Sequence, residues 1–584
     1  MFKKILEIFQ IFNFHQKLKL VFISLFTSIT ALTEIFTLYA LYLTVKLISG
    51  SDNSLDNNFL IKLVKFYFNP SDRSDLILIM FIFLVFVFFL KLIFVTYVYF
   101  LQFKFSNNFI VFCTNKLFRT YINNDYTFHI NSDTSKLIRN IQGEVGIFCT
   151  GVLQQFTLCF SEVCSLFFVI SLLIFIDTNI FFISFFCIVL LGLIFFLITK
   201  NLFKKYGIIR QDVGGSNLKL IMESFRGIVD VKIFNAESYI FSKMNQNIKT
   251  IADANIITTT LQQLPRLSFE FVAVSMVSLY FIFTLKVKTQ ISYEQLSSVA
   301  LFAVALFKII PSISRILNCT QLIRYNYPAA KLICKELRNA KIDNPNSHSF
   351  FNEKSKIIKK IIIRDSIELR NIKYSYSLEE KTIFDNLNLK IKKNDCIGIF
   401  GESGSGKSTL INLICGLIKP HKGEVLIDGN NNFDEKLFMN SIGYVPQRVF
   451  IINDSLKSNI AFGQPETEID VKRLIISSKY ANIEEFIQSK NEKYDFQVGD
   501  RGSKLSGGQL QRIGIARALY RDPELLIFDE STSSLDSSAE EKFLDLINYF
   551  VNKKTIIIIS HKINTLKKCH KIYELKNKNL VQFT

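Results

Sequence analysis

Long apolar runs recur before residue 320, and short apolar runs alternate with polar stretches after it. A helix needs roughly 20 mostly apolar residues to cross a bilayer. Lipid favours helices because every backbone polar group there must be bonded internally. The pattern therefore predicts a membrane α-helical bundle with six spans, at about Leu20–Val45, Leu76–Phe103, Val152–Ile176, Ile180–Thr199, Leu267–Leu285 and Leu296–Leu317.

Lysine and arginine are concentrated on one side of these spans. They cluster before the first span and after the second and fourth, whereas the turn between the third and fourth has none. Basic loops stay on the cytoplasmic side, so both chain ends are expected in the cytoplasm of a multi-pass inner (plasma) membrane protein. These loops also account for most of the net charge of +19, and no motif points to nucleic acid as a partner.

Two inner connections, 104–151 and 200–266, are too long and too helical in composition to be turns. We expect spans two to five to continue into the cytoplasm as long helices joined by short elbows. The outer segment Asn58–Phe68 has the pattern of an amphipathic helix. It either lies on the outer leaflet or packs on the bundle.

Charged residues within or at the start of spans are costly, so each of them needs a role. The bases could line a polar cavity, or they could pair with the acids as structural ion pairs or snorkel to the interface. The bases are Lys91, Arg266 and Lys308, and the acids are Glu34, Glu162 and Glu270.

The pattern changes after the last span. We divide the chain into a membrane domain (1–338), a polar linker (339–365) and a second domain (366–584). The continuous apolar runs Cys396–Phe400, Leu525–Phe528 and Thr555–Ile559 are typical of strands buried on both faces of a parallel sheet. The second domain is therefore predicted to be α/β.

The first of these strands leads into a sequence of the form G-x-x-x-x-G-K-[ST]. Glycines let backbone amides wrap phosphates, and the following helix adds its dipole. Lys407 is expected to bridge the β- and γ-phosphates of ATP, and Ser408 to hold Mg²⁺. The predicted ATP-binding loop is Gly401, Glu402, Ser403, Gly404, Ser405, Gly406, Lys407, Ser408 and Thr409.

The strand Leu525–Phe528 places two acids at the sheet edge where that loop lies. Asp529 is expected to reach Mg²⁺, and Glu530 to act as general base on the attacking water. A second glycine-rich helix start lies in the sequence between the predicted ATP-binding loop and these two acids. It is another anion site. It comprises Leu505, Ser506, Gly507, Gly508 and Gln509.

That last sequence is the signature of the ABC ATPase family, and residues 366–584 resemble an ABC cassette throughout. The resemblance implies that Tyr376 stacks on adenine, that Gln447 senses Mg²⁺, and that His561 contacts the γ-phosphate. Ser533–Asp536 matches the loop that couples two sites. Glu530, His561 and Gln447 would be catalytic in an ATPase coupled to transport.

In this family each ATP lies between the phosphate loop of one cassette and the signature of another, so the resemblance implies a dimer. A second copy of the same chain is the simplest partner. A heterodimer with a related half stays open.

The first half resembles the ABC exporter membrane domain, most clearly at Glu223–Glu237. Among exporters the chain is most similar to the flippases of lipid-linked oligosaccharides, where Lys91, Arg266 and Lys308 match basic cavity residues. Two are Lys where Arg is expected, which loses bidentate phosphate binding. The expected function is an exporter or flippase of a lipid-linked anionic substrate. The alternatives are a lipid A precursor, a peptide or drug, or, in another class, an ATP-gated channel.

Overall fold

The structure, a computed structural model, describes residues 10–49, 58–68, 70, 72–176, 178–287, 293–342, 359–376, 382–531 and 537–583. It forms two compact units, which we call the helical unit and the nucleotide unit. The helical unit comprises the described residues up to 342 except Asp125–Ile130. That segment groups with the nucleotide unit, which otherwise contains the described residues from 359 onwards.

Long helices dominate the helical unit. Four of them have 49 to 51 residues, and at 1.5 Å per residue each is about two and a half times as long as the 30 Å hydrocarbon core. In chain order, and including α4, most of which groups with the nucleotide unit, the bounds are α1 Phe14–Ser49, α2 Phe59–Phe68, α3 Arg73–Asn123, α4 Tyr126–Asn131, α5 Thr134–Arg139, α6 Val145–Phe148, α7 Gln154–Ile176, α8 Thr178–Arg226, α9 Ile228–Ile233, α10 Glu237–Val287 and α11 Tyr293–Ile342, with π-helical turns at Asn140–Glu144 and Cys149–Leu153.

These bounds confirm that the helices of spans two, four and five continue well past the spans. The short helices α4 and α9 occupy the predicted elbows. The helix of span six also continues, to Ile342, into the segment predicted as a linker. Sequence patterns missed this because its polar residues ended the apolar run without ending the helix.

Among the described residues, three helical stretches are long and apolar enough to cross a membrane. They are Phe14–Ile48, Arg73–Asn123 and Thr134–Ser171, and they contain or overlap the first three predicted spans. Many side chains of the later spans lie outside the described residues. The count of six spans stays a prediction.

Helix α2 presents two different faces. Ile61 and Val64 are buried in a cluster with residues of α1 and α3, including Leu43 and Met80. The aromatic ring of Phe66 on its other face is 80% exposed. The helix therefore packs on the bundle while leaving aromatic side chains uncovered.

The nucleotide unit is built on two sheets. The three-stranded antiparallel sheet has the order β2-β1-β4, and the six-stranded sheet has the order β5-β6-β7-β3-β8-β9. The strands are β1 Ser366–Tyr374, β2 Phe384–Lys392, β3 Cys396–Phe400, β4 Lys422–Ile427, β5 Ile442–Val445, β6 Leu525–Asp529, β7 Thr555–Ile559, β8 Lys571–Lys576 and β9 Asn579–Phe583.

Helices cover the larger sheet. They are α12 Lys407–Ile414, α13 Glu435–Met439, α14 Leu456–Ile460, α15 Val471–Tyr480, α16 Glu484–Gln488, α17 Gly507–Tyr520, α18 Ser537–Phe550 and α19 Ile563–Leu566, with 3₁₀ turns at Glu466–Glu468, Lys493–Asp495 and Asp500–Gly502.

The larger sheet is parallel from β5 to β8. Every residue of β6 and β7 is buried, as is nearly all of β3, which confirms the three predicted buried strands. Since β7 lies between β6 and β3, the segments that follow these strands emerge side by side at one edge. Ligands of parallel sheets bind at that edge.

Candidate functional site

The loop that joins β3 to α12 is shaped by its glycines. Gly404 and Gly406 have φ values of +82° and +108°, which side-chain-bearing residues rarely adopt. A Cβ on Gly406 would also lie 2.9 Å from the Ile383 side chain. The loop thus ends in a backbone conformation that directs the amides at the start of α12 towards one point.

The side chain of Lys407 folds back over this loop. Its Nζ donates to the carbonyl oxygens of Gly401 at 2.9 Å and Glu402 at 3.0 Å. Burial lowers the pKa of Lys407, and the carboxylates of Glu530 and Asp529 oppose that shift. The ammonium is therefore held in a crowded pocket where an anion would relieve its desolvation.

Ser405 shows that the loop fits a phosphate. Its hydroxyl is buried and has no hydrogen-bond partner within the described part of the chain. Buried hydroxyls are normally satisfied, and a phosphate oxygen would satisfy this one. Tyr376, at the far side of α12, lies with its hydroxyl 3.1 Å from that of Thr409, and its ring is partly exposed.

Two acids end β6 with different surroundings. Asp529 is buried and accepts a hydrogen bond of 3.1 Å from the Tyr444 hydroxyl. Burial raises the pKa of Asp529, and the Tyr444 hydrogen bond opposes this. Burial also raises the pKa of Tyr444, with Asp529 adding to it, so that the phenol stays protonated and donates.

Glu530 lies at the centre of a hydrogen-bonded group. Its Oε2 accepts a hydrogen bond of 2.6 Å from Gln447 Nε2. Its Oε1 lies 2.6 Å from His561 Nε2. Its backbone has a φ of +48°, an uncommon conformation that costs of order 1 kcal/mol. The structure thus brings together the three predicted catalytic residues, which follow β5, β6 and β7.

The signature begins helix α17 with a capping box. The Ser506 hydroxyl accepts from the Gln509 amide at 3.3 Å, and the Gln509 side chain accepts from the Ser506 amide at 2.9 Å. A Cβ on Gly507 would meet nothing within 4 Å, so this face is open. Among the described residues no hydrogen bond joins Leu505–Gln509 to the phosphate loop. Ser533–Asp536 lies outside the described residues.

Sequence reasoning missed the part that Tyr444 plays. The residue stands three positions before Gln447, in β5, which pairs with β6. That adjacency was the available signal, because the neighbouring strand ends in Asp529.

Two of the three predicted cavity bases lie next to acids in the structure. Lys91 Nζ lies 3.8 Å from Glu34 Oε1, and Arg266 Nε lies 2.9 Å from Glu270 Oε1, one turn along α10. The backbone of Lys308 belongs to α11, but its side chain lies outside the described residues. For Lys91 and Arg266 the observed contacts are the ion pairs that the sequence offered as the alternative.

Glu162 has a partner that sequence reasoning overlooked. Arg315 Nη1 lies 2.6 Å from Glu162 Oε1, and joins α7 to α11. The signal was present, because Arg315 falls inside the predicted sixth span.

Two protein families match the chain. The ABC transporter transmembrane region matches residues 13–310, which is half of the chain, and the ABC transporter family matches residues 384–533. A solved structure described as a bacterial Atm1-family ABC exporter with ATP bound superposes with a TM-score of 0.74. It covers 97% of this chain and 94% of its own, at 20% identity, which shows the fold alone.

Curated relatives match over shorter stretches. The leukotoxin translocation ATP-binding protein LktB of Mannheimia glucosida and the alpha-hemolysin translocation ATP-binding protein HlyB of Escherichia coli are each 39% identical over 222 residues, 38% of this chain and 31% of theirs. The putative multidrug export ATP-binding/permease protein YgaD of Bacillus subtilis is 34% identical over 232 residues, 39% of this chain and 40% of its own. The matches thus span about a third of the length of these relatives.

Proposed function

The chain belongs to the ABC transporter family, with membrane region and ATP-binding cassette in one polypeptide, and we propose that it is an ATP-driven exporter that works as a homodimer. One observation carries the proposal. The Glu530 carboxylate is held between Gln447 and His561, at the edge where Lys407 crosses the phosphate loop. A base so held is suited to activating water.

The residues divide the work of ATP hydrolysis. The loop amides and Lys407 bind the phosphates, and the exposed ring of Tyr376 offers a surface for adenine. Ser408, Gln447 and Asp529 supply the oxygen ligands that Mg²⁺ prefers. When bound, Mg²⁺ neutralises charge on the phosphates.

The hydrolytic step needs one proton acceptor. Glu530 takes the proton of the water whose oxygen attacks the γ-phosphorus, while the bond to the β-phosphate oxygen breaks. His561 lies against the γ-phosphate and fixes the orientation of the Glu530 carboxylate. Asp529 would help to hold Mg²⁺, and the bound cation would favour its carboxylate form.

Two features favour a second copy of the chain. The signature Leu505–Gln509 faces open space and is not bonded to the phosphate loop of its own chain. Helix α9 buries no residue. Its last residue, Ile233, and the following Phe234 are both apolar and exposed. A twofold partner would supply the missing half of each site. A related but different half-transporter is the competing partner.

Transport follows if ATP changes the relative stability of two membrane conformations. Binding of two ATP molecules favours the closed cassette pair, and hydrolysis favours its opening. The inward- and outward-open states of the helices are then populated in turn, which requires that ATP bind the two states with different affinities.

For substrate we propose an amphiphile with an anionic head, such as a lipid-linked oligosaccharide. Its support is the presence of basic groups on two long helices, Lys91 in α3 and Arg266 in α10. Each is now paired with a carboxylate, so a pyrophosphate would have to replace Glu34 or Glu270 as its partner. Exchange of one anion for another costs less than creating a bare cation in lipid.

The substrate test measures ATP hydrolysis in lipid nanodiscs with added polyprenyl-pyrophosphate glycan. We expect the glycan to stimulate the wild type several-fold and to leave a Lys91→Gln/Arg266→Gln variant unstimulated. Lys249→Gln, an exposed lysine elsewhere on α10, is the matched control and should behave as wild type. Equal stimulation of the double variant contradicts the pyrophosphate proposal. If a lipid A precursor, a peptide or a drug stimulates ATP hydrolysis instead, that class of compound becomes the proposed substrate.

A second reading of the same scaffold, an ATP-gated channel, is tested with Glu530→Gln. A pump that cannot hydrolyse ATP stops moving substrate. A channel would still open on ATP binding and merely close slowly, so ATP-dependent conductance in this variant would overturn the pump.

A further inference from the structure

A large cavity lies in the helical unit, away from Lys91 and Arg266. Its volume is about 870 Å³, within the roughly 300–1,000 Å³ typical of small-molecule sites. The start of α7, residues 200–211 of α8 and residues 323–336 of α11 form its walls. Lys200 directly follows the fourth predicted span, so the cavity lies where the helices leave the cytoplasmic leaflet.

The lining combines apolar and basic side chains. We call its buried apolar part the floor. Phe12, Val152 and Leu153 are buried at the floor. Five basic side chains stand around them, and Glu336 is the only acid among the lining residues that the structure describes. The bases are Lys200, Lys204, Arg324, Lys331 and Lys335.

The described lining of this cavity carries an excess of positive charge, since five bases and one acid contribute to it. Within the described part of the chain, its four lysines form no ion pair or hydrogen bond. They form two pairs, Lys200 with Lys204 and Lys331 with Lys335, and the members of each pair lie one helical turn apart. Like charges at that spacing destabilise a helix. The Glu336 carboxylate already accepts a hydrogen bond of 3.2 Å from Tyr121.

Arg324 is held in place on the wall of the cavity. Its guanidinium lies 4.0 Å from the ring centroid of Phe196, a cation–π contact that fixes its direction. The cavity therefore has an oriented guanidinium donor as well as four lysine ammonium groups.

The walls themselves are firmly joined. A Cβ on Gly207 would lie 2.1 Å from the Tyr325 carbonyl oxygen, so only glycine allows α8 to approach α11 this closely. Below the cavity, Arg210 pairs with Glu144 at 3.6 Å, and Gln211 donates to the same carboxylate at 3.2 Å. These contacts thus join α8 to α11 and to Glu144 beside the cavity.

We propose that this cavity binds the phosphate-bearing head of an anionic lipid from the cytoplasmic leaflet, with the first part of its apolar chains on the floor. The phosphate offsets part of the charge of the four lysines and Arg324 and accepts hydrogen bonds from them, and the buried Phe12, Val152 and Leu153 favour a ligand that carries apolar groups. The site uses none of the residues assigned to ATP or to the transported substrate. Its failure therefore leaves the proposed function standing.

The experiment counts lipid bound to the purified full-length protein by native mass spectrometry during titration with phosphatidylglycerol. The test variant is Lys200→Gln/Lys204→Gln/Lys331→Gln/Lys335→Gln. The matched control replaces four exposed lysines outside the cavity by Gln, at Lys136, Lys205, Lys243 and Lys249. Both lose four charges, so a difference between them reports the site rather than net charge.

We expect the test variant to bind phosphatidylglycerol at least tenfold more weakly than the control. Zwitterionic phosphatidylcholine should bind weakly to both. Equal affinity of the two variants for phosphatidylglycerol overturns the site. If inorganic pyrophosphate competes as well as the lipid on a molar basis, the apolar floor contributes nothing and the lipid assignment is wrong. A Gly207→Ala variant, which disturbs the helix approach without touching charge, should also weaken lipid binding, and unchanged binding there contradicts the described walls.

Discussion

The two units handle buried charge in opposite ways. In the nucleotide unit, charged and polar groups are gathered into one connected site, where Gln447, Glu530 and His561 share hydrogen bonds and Lys407 lies over the loop. In the helical unit, the described span charges are neutralised pair by pair, as in Glu162 with Arg315.

The difference follows from what each region must meet. A site for a highly charged nucleotide keeps an excess of donors, because the ligand supplies the missing negative charge. A helix surrounded by hydrocarbon has no charged ligand beside it to supply the opposite charge. An unpaired ion there is costly. The basic cavity formed by residues 200–211 of α8 and 323–336 of α11 is the exception, which is why we assign it a ligand.

Substitutions in the connected nucleotide site should have larger effects than substitutions in the paired charges of the helical unit. We expect His561→Ala to lower kcat for ATP hydrolysis by about 100-fold or more, because it removes a partner of the Glu530 carboxylate and a contact to the γ-phosphate. Steady-state ATPase assays measure this. His15→Ala, an exposed histidine outside the site, is the control. A fall of less than threefold in His561→Ala would mean that the site does not depend on this connection.

The paired charges should show a smaller effect, on stability rather than turnover. Arg315→Gln leaves the buried Glu162 carboxylate without its charged partner and should cost about 1–3 kcal/mol. Thermal unfolding in nanodiscs would show a lower midpoint. Adding Glu162→Gln should recover part of the loss, because the bare charge is then removed. A double variant less stable than Arg315→Gln would contradict this pairwise account.

The smallest expected effect concerns Glu368 in β1. Hydrogen bonds from Lys390 and then Arg370 lower the pKa of Glu368 from 4.5 to about 2. A carboxyl with a lowered folded-state pKa stabilises the fold above its unfolded pKa and loses that contribution as pH falls towards the folded value. Because both partners are about half exposed, the contribution should be under about 1 kcal/mol.

Glu368→Gln should therefore lower the unfolding midpoint slightly at pH 7, and the difference from wild type should shrink between pH 4.5 and pH 3. Asp385→Asn, which removes an exposed surface partner of Lys373, is the control. A difference that grows as pH falls would reverse the sign and refute the argument.

The parts of the molecule that sequence predicted well are those whose determinants are adjacent in the chain. The phosphate loop and the capping box of α17 are each encoded within a few residues, and β3, β6 and β7 are unbroken apolar runs. Parallel pairing then brings Glu530 and His561 to one edge. The hydrogen bond from Tyr444 to Asp529 needed the strand order, which the motif does not specify.

The span charges were harder because their partners depend on rotation and register of separate helices. Lys91 and Glu34 are on different helices, and nothing near either residue specifies the other. Arg315 was overlooked for Glu162 although both lie in predicted spans. The continuation of α11 past the sixth span was missed since a helix leaving lipid becomes polar without ending.

The central claim is that the connected site hydrolyses ATP through Glu530. Its most direct test is the ATPase rate of the purified full-length protein in nanodiscs, wild type against Glu530→Gln, with ATP binding measured in parallel. We predict a rate about 100-fold or more lower in the variant, with ATP binding retained because Lys407 and the loop are intact. Undiminished hydrolysis in Glu530→Gln would contradict the account.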